Sequence, residues 1–300
     1  MLSLLVASLM LFVLGFNNGA AIKSSLVSSG IQNQKKASLL VASGLISGSI
    51  LEGWKMGRIQ LVSTSVNLYT FQIVLVTLLI MFILSLFNSP ASLAQIFFSS
   101  ALGILIVKHA SINFNLSLEV VLSWLFTPFF SVLLAYLMYK LTFSFIQKFC
   151  LLKVTLFSKL VALVAVFYSS YVLGANNIGL ISAFYGGSPI VGLLFSIVAS
   201  LGVYFSKKLT KALGEDLIVV SPVGASVSTF SASFLVWIFT QLGLPVSVTT
   251  SIMSSVIGVG LASKIRVFNL RTLFSVTVVG WGLSALLGLL FGNLAGIYLA

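Results

Sequence analysis

The sequence predicts an all-α polytopic membrane protein, with about ten transmembrane segments arranged as two inverted-topology repeats. Three observations carry that expectation. Of 300 residues only 7% are charged while 59% are hydrophobic, and mean hydropathy is +1.19. A water-soluble domain uses about 25% charged residues, so this chain cannot cover a globular surface with polar groups. Second, the apolar residues fall in ten long runs, and third, short polar motifs recur at a nearly constant spacing. Together these exclude an ordinary cytosolic enzyme, a secreted disulfide scaffold and a disordered chain, and leave the bilayer as solvent.

The runs lie near 2–22, 37–54, 70–87, 92–108, 116–140, 160–176, 189–206, 217–243, 246–263 and 270–299. Each reaches about 17 residues or more, enough to enter or cross the hydrocarbon core. Backbone polar groups must be paired inside lipid, so all ten are expected to be helices. The first lacks a basic n-region and its end recurs later, so it reads as a membrane helix and not as a cleaved leader. The second carries Gly44 and Gly48, and the last carries Gly288, Gly292 and Gly296; such small-residue ridges suit close helix contacts. The fourth and ninth follow Pro90 and Pro245. They are expected to cross fully, with a re-entrant hairpin as the alternative.

Threading ten crossings places Lys23, Lys35, Lys36, Lys140, Lys148, Lys153, Lys159, Lys207, Lys208, Lys211, Lys264, Arg266 and Arg271 on one face. Only Lys55, Arg58 and Lys108 fall on the other. This asymmetry puts the basic face in the cytoplasm of a cell-membrane protein, with both termini outside. The net charge of +12 is then a topology signal, and no nucleic-acid partner is expected. Glu52 and Glu119, beside Trp54 and Trp124, read as interfacial anchors; the remaining acids are Glu215 and Asp216. Cys150 and His109 are the single residues of their types, so neither a disulfide nor a protein-built metal site is expected.

The chain repeats itself. Gly15-Phe16-Asn17-Asn18 returns as Gly174-Ala175-Asn176-Asn177, and Pro90-Ala91-Ser92 as Pro245-Val246-Ser247. Ser99 to Gly103 returns as Ser254 to Gly258, Asn115-Leu116 as Asn269-Leu270, and Trp124 as Trp281. The offsets are 159, 155, 155, 154 and 157. Five runs per half is an odd number, so the second half enters from the opposite side. The predicted division is a first repeat at 1–145, a basic cytoplasmic linker at 146–159 and a second repeat at 160–300.

Polar breaks at corresponding places in inverted repeats point to a substrate site between them. Asn17, Asn18, Asn176 and Asn177 interrupt apolar helices, where an amide must find a partner or a ligand. Gly19 and Ser25 lie in the same extended first motif. Ser92, Ser247, Thr249 and Thr250 follow the prolines, at helix starts whose free N–H groups attract anions. Two such ends would form a neutral, donor-rich cradle for an oxyanion. Lys23, inside the same extended first motif, is a candidate charge-compensating group. No phosphate-cradling P-loop, nucleophile elbow or zinc motif is found, and the acids and His109 do not cluster as in an enzyme.

The paired Gly-x-Asn-x motifs, the paired Pro-x-Ser segments, Gly258 and Gly260, and the repeated Trp resemble the inorganic phosphate transporter family of the PiT type, which holds phosphate permeases and some sulfate permeases. The resemblance spans about 1–145 and 155–298. It departs at the family signature Gly-Ala-Asn-Asp-x-Ala-Asn. The signature Asp is Asn18 and Asn177 here, and its last Asn is Ala21 and Leu180. The family's Pro-x-Ser-Thr-Thr-His reads Pro90-Ala91-Ser92-Leu93-Ala94-Gln95 and Pro245-Val246-Ser247-Val248-Thr249-Thr250. The resemblance implies that the Asp positions serve cation coupling and the hydroxyls hold the anion. Losing both carboxylates removes ligands that Na⁺ favours, so a proton is the expected coupling ion over sodium.

The expected function is therefore secondary transport of inorganic phosphate by alternating access, as a symporter, without a cofactor and without enzymatic activity, in a chain that can pair as a homodimer. Sulfate is the alternative substrate. An uncoupled facilitator or channel, or a non-transporting sensor on the same fold, are the alternative roles.

Overall fold

A computed structural model describes residues 2–86, 91–211, 221–263 and 282–299. Every regular element among them is helical. In order they are α1 (Leu2–Leu14), a π-helical turn (Gly15–Gly19), α2 (Ala20–Ser28), α3 (Gln34–Leu51), 3₁₀ segments at Gly53–Val62 and Val66–Tyr69, α4 (Thr70–Leu86), α5 (Leu93–Val107) and α6 (Phe114–Ile146). The second half gives α7 (Leu151–Leu173), a second π-helical turn (Gly174–Ile178), α8 (Gly179–Ala183), α9 (Pro189–Phe205), α10 (Pro222–Gln241), α11 (Val248–Ser263) and α12 (Ser284–Tyr298).

Each of the ten apolar runs carries one of these helices, in order. Length and composition alone, however, give five full crossings among the described residues: Leu2–Ser28, Val66–Ser85, Phe114–Ile146, Leu152–Ala183 and Pro222–Gln241. Gln34–Leu51 with Gly53–Val62, bent by 57°, makes a sixth. The helices α5, α9, α11 and α12 are apolar but only 15 to 17 residues long. At about 1.5 Å per residue they fall short of a core about 30 Å thick.

Two boundaries differ from the sequence reading. The run read as 160–176 starts at Leu151, so the basic stretch 146–159 is helical from there on. Lys153 and Lys159 sit among apolar residues, and their long stems reach water from a helix without interrupting it. The stretch after Leu51 looks like a loop because of Lys55, Arg58 and Gln60. It is a 3₁₀ segment that buries Gly53, Met56, Ile59 and Val62, a spacing of three that sets one face inward.

Packing repeats with the sequence. Gly15 abuts the Ala199 carbonyl and Gly202 the Phe12 carbonyl, where α1 meets α9. In the other half Gly174 abuts the Leu45 carbonyl and Gly48 the Tyr171 carbonyl, where α7 meets α3. Moving the first pair of contacts by 159 on one side and 154 on the other gives the second pair. Likewise Gly103 against Leu289 in α12 mirrors Gly258 against Val132 in α6. Side chains such as Leu39, Leu141, Leu152 and Ile190 stay open on the outside of the bundle, as a lipid-facing surface requires.

Candidate functional site

Both Asn pairs lie in the π-helical turns. A π turn accommodates an extra residue in an α-helix and recurs at functional sites. In the second, Gly179 N–H donates to the Gly174 carbonyl, the wide i to i+5 spacing. Gly15 and Gly174 open both turns, where absent side chains let the neighbouring helix approach and helix propensity is low.

The first Asn of each pair is a tether. Asn17 Nδ2 donates to Ser85 Oγ at 2.8 Å, and Ser85 Oγ donates to the Met81 carbonyl at 2.7 Å. Asn176 Nδ2 donates to Thr240 Oγ1 at 2.9 Å, and Thr240 Oγ1 donates to the Val236 carbonyl at 2.8 Å. Ser85 and Thr240 stand 155 apart, so the whole chain of bonds recurs in the two halves. Sequence reading missed this pair, although both are hydroxyl residues near the ends of corresponding runs.

Asn176 does more than Asn17. Its Nδ2 also donates to the Leu244 carbonyl at 3.1 Å, and its Oδ1 accepts from Val246 N–H at 3.3 Å. Trp124 Nε1 donates to the Pro245 carbonyl at 2.7 Å. The loop before α11 is thus held from two sides, and Trp124 is buried, not an interfacial anchor. Trp54 is exposed and fits the interfacial reading. The counterparts Ser89, Pro90 and Trp281 lie outside the described residues, as do Asn88, Asn269, Leu270, Glu215, Asp216, Lys264, Arg266 and Arg271.

Beyond that loop, Ser247 Oγ accepts from Thr250 N–H at 3.2 Å and from Thr250 Oγ1 at 3.0 Å, with Thr249 Oγ1 at 3.2 Å. Ser92, the N-cap of α5, accepts from Gln95 N–H at 3.4 Å, and its own N–H donates to Ser284 Oγ at 3.3 Å. The two hydroxyls therefore cap equivalent helices. Ser247, Thr249 and Thr250 come together as one cluster, as the sequence suggests.

The second Asn of each pair is different. Asn18 and Asn177 are 4% and 1% exposed. Asn18 makes no side-chain hydrogen bond among the described residues. Asn177 Oδ1 is buried without any partner. A buried amide left unpaired costs about 1–3 kcal/mol.

Three candidates are placed elsewhere. Gly19 packs on the Val203 side chain. Ser25 donates to the Ile22 carbonyl of its own helix at 3.3 Å. Lys23 is fully buried, yet it faces α3 and α9: its Nζ donates to the Val203 carbonyl at 2.5 Å and to Ser38 Oγ at 3.0 Å. None of the three bonds to the Asn or hydroxyl groups.

Glu52 and Glu119 are not loose anchors either. Glu52 Oε2 accepts from Trp237 Nε1 at 3.1 Å and from Gln241 Nε2 at 2.8 Å, and Lys55 lies 3.5 Å from its Oε1. Lys55 also bonds Gln241, while Arg58 donates to the Leu242 carbonyl at 2.7 Å and to Glu119 at 2.8 Å. This polar network ties the 3₁₀ segment to the end of α10, next to Thr240. Among the described residues no group of three His, Cys, Asp or Glu side chains is placed to hold a metal.

Comparison with known proteins agrees with this architecture. Residues 152–292 match the model of the phosphate transporter family. A protein of Methanocaldococcus jannaschii, provisionally named a phosphate permease, is 24% identical over 296 residues, covering 97% of this chain and 95% of its own length. Among solved structures, one titled the sodium-dependent phosphate transporter superposes with a TM-score of 0.84 at 18% identity, over 99% of this chain and 98% of that one. The resemblance to the phosphate transporter family is thus borne out, and so is the all-helical membrane fold.

Proposed function

We propose that the chain is a secondary transporter that carries inorganic phosphate across the cell membrane by alternating access between its two repeats, with the basic face in the cytoplasm and both termini outside. One observation carries the reading. The same π-turn occurs in both halves, each tethered through its first Asn and each presenting a second, buried Asn whose side-chain oxygen or amide finds no hydrogen-bond partner among the described residues. In inverted-repeat transporters such broken helices frame the substrate near the repeat interface.

The donors fit an oxyanion. Asn177 and the Ser247, Thr249 and Thr250 hydroxyls are neutral, as is Asn18 in the other half. Monohydrogen phosphate carries an O–H that needs an acceptor, and the unpaired Asn177 Oδ1 supplies one. Sulfate has no such proton, so an orphan acceptor favours phosphate. Both signature Asp positions are Asn, which leaves no fixed negative charge for sodium, and a proton taken up with the phosphate itself is the coupling ion.

The test is uptake of labelled phosphate and sulfate into proteoliposomes, with and without Na⁺ and pH gradients, for the wild type, Asn18→Ala and Asn177→Ala. Saturable, pH-driven phosphate flux lost in both variants is the expected result. Exclusion of both anions under every gradient sinks the transport reading. Non-saturable flux indifferent to Na⁺ and pH would replace it with an uncoupled channel.

A further inference from the structure

At the end of the bundle where α3 begins and α9 finishes there is a cavity of about 300 Å³ lined by Gln34, Lys35, Ser38, Tyr204, Phe205 and Lys207. It lies apart from the Asn turns, and four features give it the character of an anion site. Lys35 and Lys207 are both at its wall, and neither has a carboxylate partner among the described residues, whose ion pairs are Lys55–Glu52 and Arg58–Glu119. Both Nε2 and Oε1 of Gln34 are buried without a hydrogen-bond partner. Behind the wall stands Lys23, fully buried, whose ammonium donates to Ser38 Oγ at 3.0 Å. Ser38 spends its oxygen on that ammonium, so its own proton is free to point into the cavity. Tyr204 and Phe205, 55% and 63% exposed, form the rim where the helix faces lipid.

We infer that this cavity binds a phosphate-type oxyanion, either the free ion or the headgroup of an anionic phospholipid, through Lys35, Lys207, the Gln34 amide and the Ser38 hydroxyl, with Lys23 as a fixed buried charge behind them. Three ammonium groups with no carboxylate partner among the described residues suit a multivalent anion; a single carboxylate would leave two charges uncompensated. The Gln34 amide is the stronger argument for a ligand. A solvated lysine needs no partner, whereas two buried, unpaired amide atoms cost free energy until something enters. Basic pockets between helices on the cytoplasmic side are the usual seat of anionic headgroups, and the aromatic rim matches the depth of the interface. The site does not depend on the transport reading, because a lipid source satisfies it in full.

The experiment compares the wild-type protein with Lys35→Gln/Lys207→Gln and, separately, with Gln34→Leu. One arm measures equilibrium binding of labelled inorganic phosphate to protein in nanodiscs of neutral phosphatidylcholine. The other counts phosphatidylglycerol molecules retained by native mass spectrometry after exchange into mixed vesicles. With each lysine near the surface contributing about 1 kcal/mol to anion attraction, the double variant weakens binding by about tenfold or more. Loss in the first arm identifies the free ion, and loss in the second identifies the headgroup. Either supports the inference. Unchanged binding in both arms for both variants overturns it, and their unaltered elution and thermal unfolding show that any loss is not misfolding.

Discussion

Among the described residues, Asn17 in the first half is partly exposed and holds Ser85, whereas in the second half Asn176 is fully buried and holds Thr240, Leu244, Val246 and, at longer range, Met56. The backbone of the two turns is the same, and so is the first tether. What differs is closure: the loop before α11 is clamped onto its turn by an amide, a carbonyl and Trp124, while Ala91 N–H, which the offset sets against Asn17, makes no bond to it among the described residues. Around the clamped turn the Glu52–Lys55–Gln241 network also ties the 3₁₀ segment to α10. The shared turn and tether speak about the fold.

The largest predicted effect tests the shared part. A Cβ at Gly15 runs into the Ala199 backbone and one at Gly174 into the Leu45 backbone. Backbone cannot rotate away as a flexible side chain can, and overpacking of this kind costs about 1–3 kcal/mol or more. G15A and G174A should each abolish most monodisperse protein on size-exclusion chromatography, and to a similar degree. A wild-type profile for one of them would show that the two helix seams are not equivalent.

A smaller effect sharpens the asymmetric part. Interhelical hydrogen bonds in membrane proteins average about 0.6 kcal/mol each. Asn176→Ala removes the bonds to Thr240, Leu244 and Val246, with a longer contact to Met56 Sδ, and should cost about 2 kcal/mol, while Asn17→Ala removes one described bond and should cost about 0.6 kcal/mol. Unfolding titrations in mixed micelles separate the two. Equal losses would mean that the clamp on Leu244 and Val246 is energetically idle.

Much of this was legible beforehand, and the limits have physical causes. The ten runs, the Gly-x-Asn-Asn repeats and the Pro-x-Ser repeats are local signals, and each lands on a helix or at its start. The roles within an Asn pair were not legible, because Asn17 and Asn18 have the same chemistry and only the helix phase decides which meets α4. Ser85 and Thr240 were missed since single hydroxyls in apolar helices usually bond their own backbone, and here they do that and accept from Asn as well. Trp124 looked interfacial by its place in the run, yet α6 begins at Phe114 and carries it inward. Lys23 is a candidate charge-compensating group by sequence proximity, but a side chain that long is directed by its acceptors, and those lie on α9 and α3.

The smallest effect concerns the two caps. Ser247 accepts from Thr250 N–H at 3.2 Å and from the Thr250 hydroxyl, with Thr249 alongside, whereas Ser92 accepts from Gln95 N–H at 3.4 Å. Removing an N-cap hydroxyl costs about 0.5–2 kcal/mol, so both alanine variants should fold with slightly reduced stability. Their transport should diverge. Ser247→Ala breaks up a cluster of three hydroxyls at an anion-attracting helix start, while Ser92 has Gln95 and Ser284 as its described polar neighbours. The half-saturation concentration for phosphate should rise about threefold to tenfold in Ser247→Ala and by less in Ser92→Ala, since a hydrogen bond to a charged group contributes about 1.5–3 kcal/mol before water competes for it. If Ser92→Ala raised it as much, the anion would be held evenly by both helix starts.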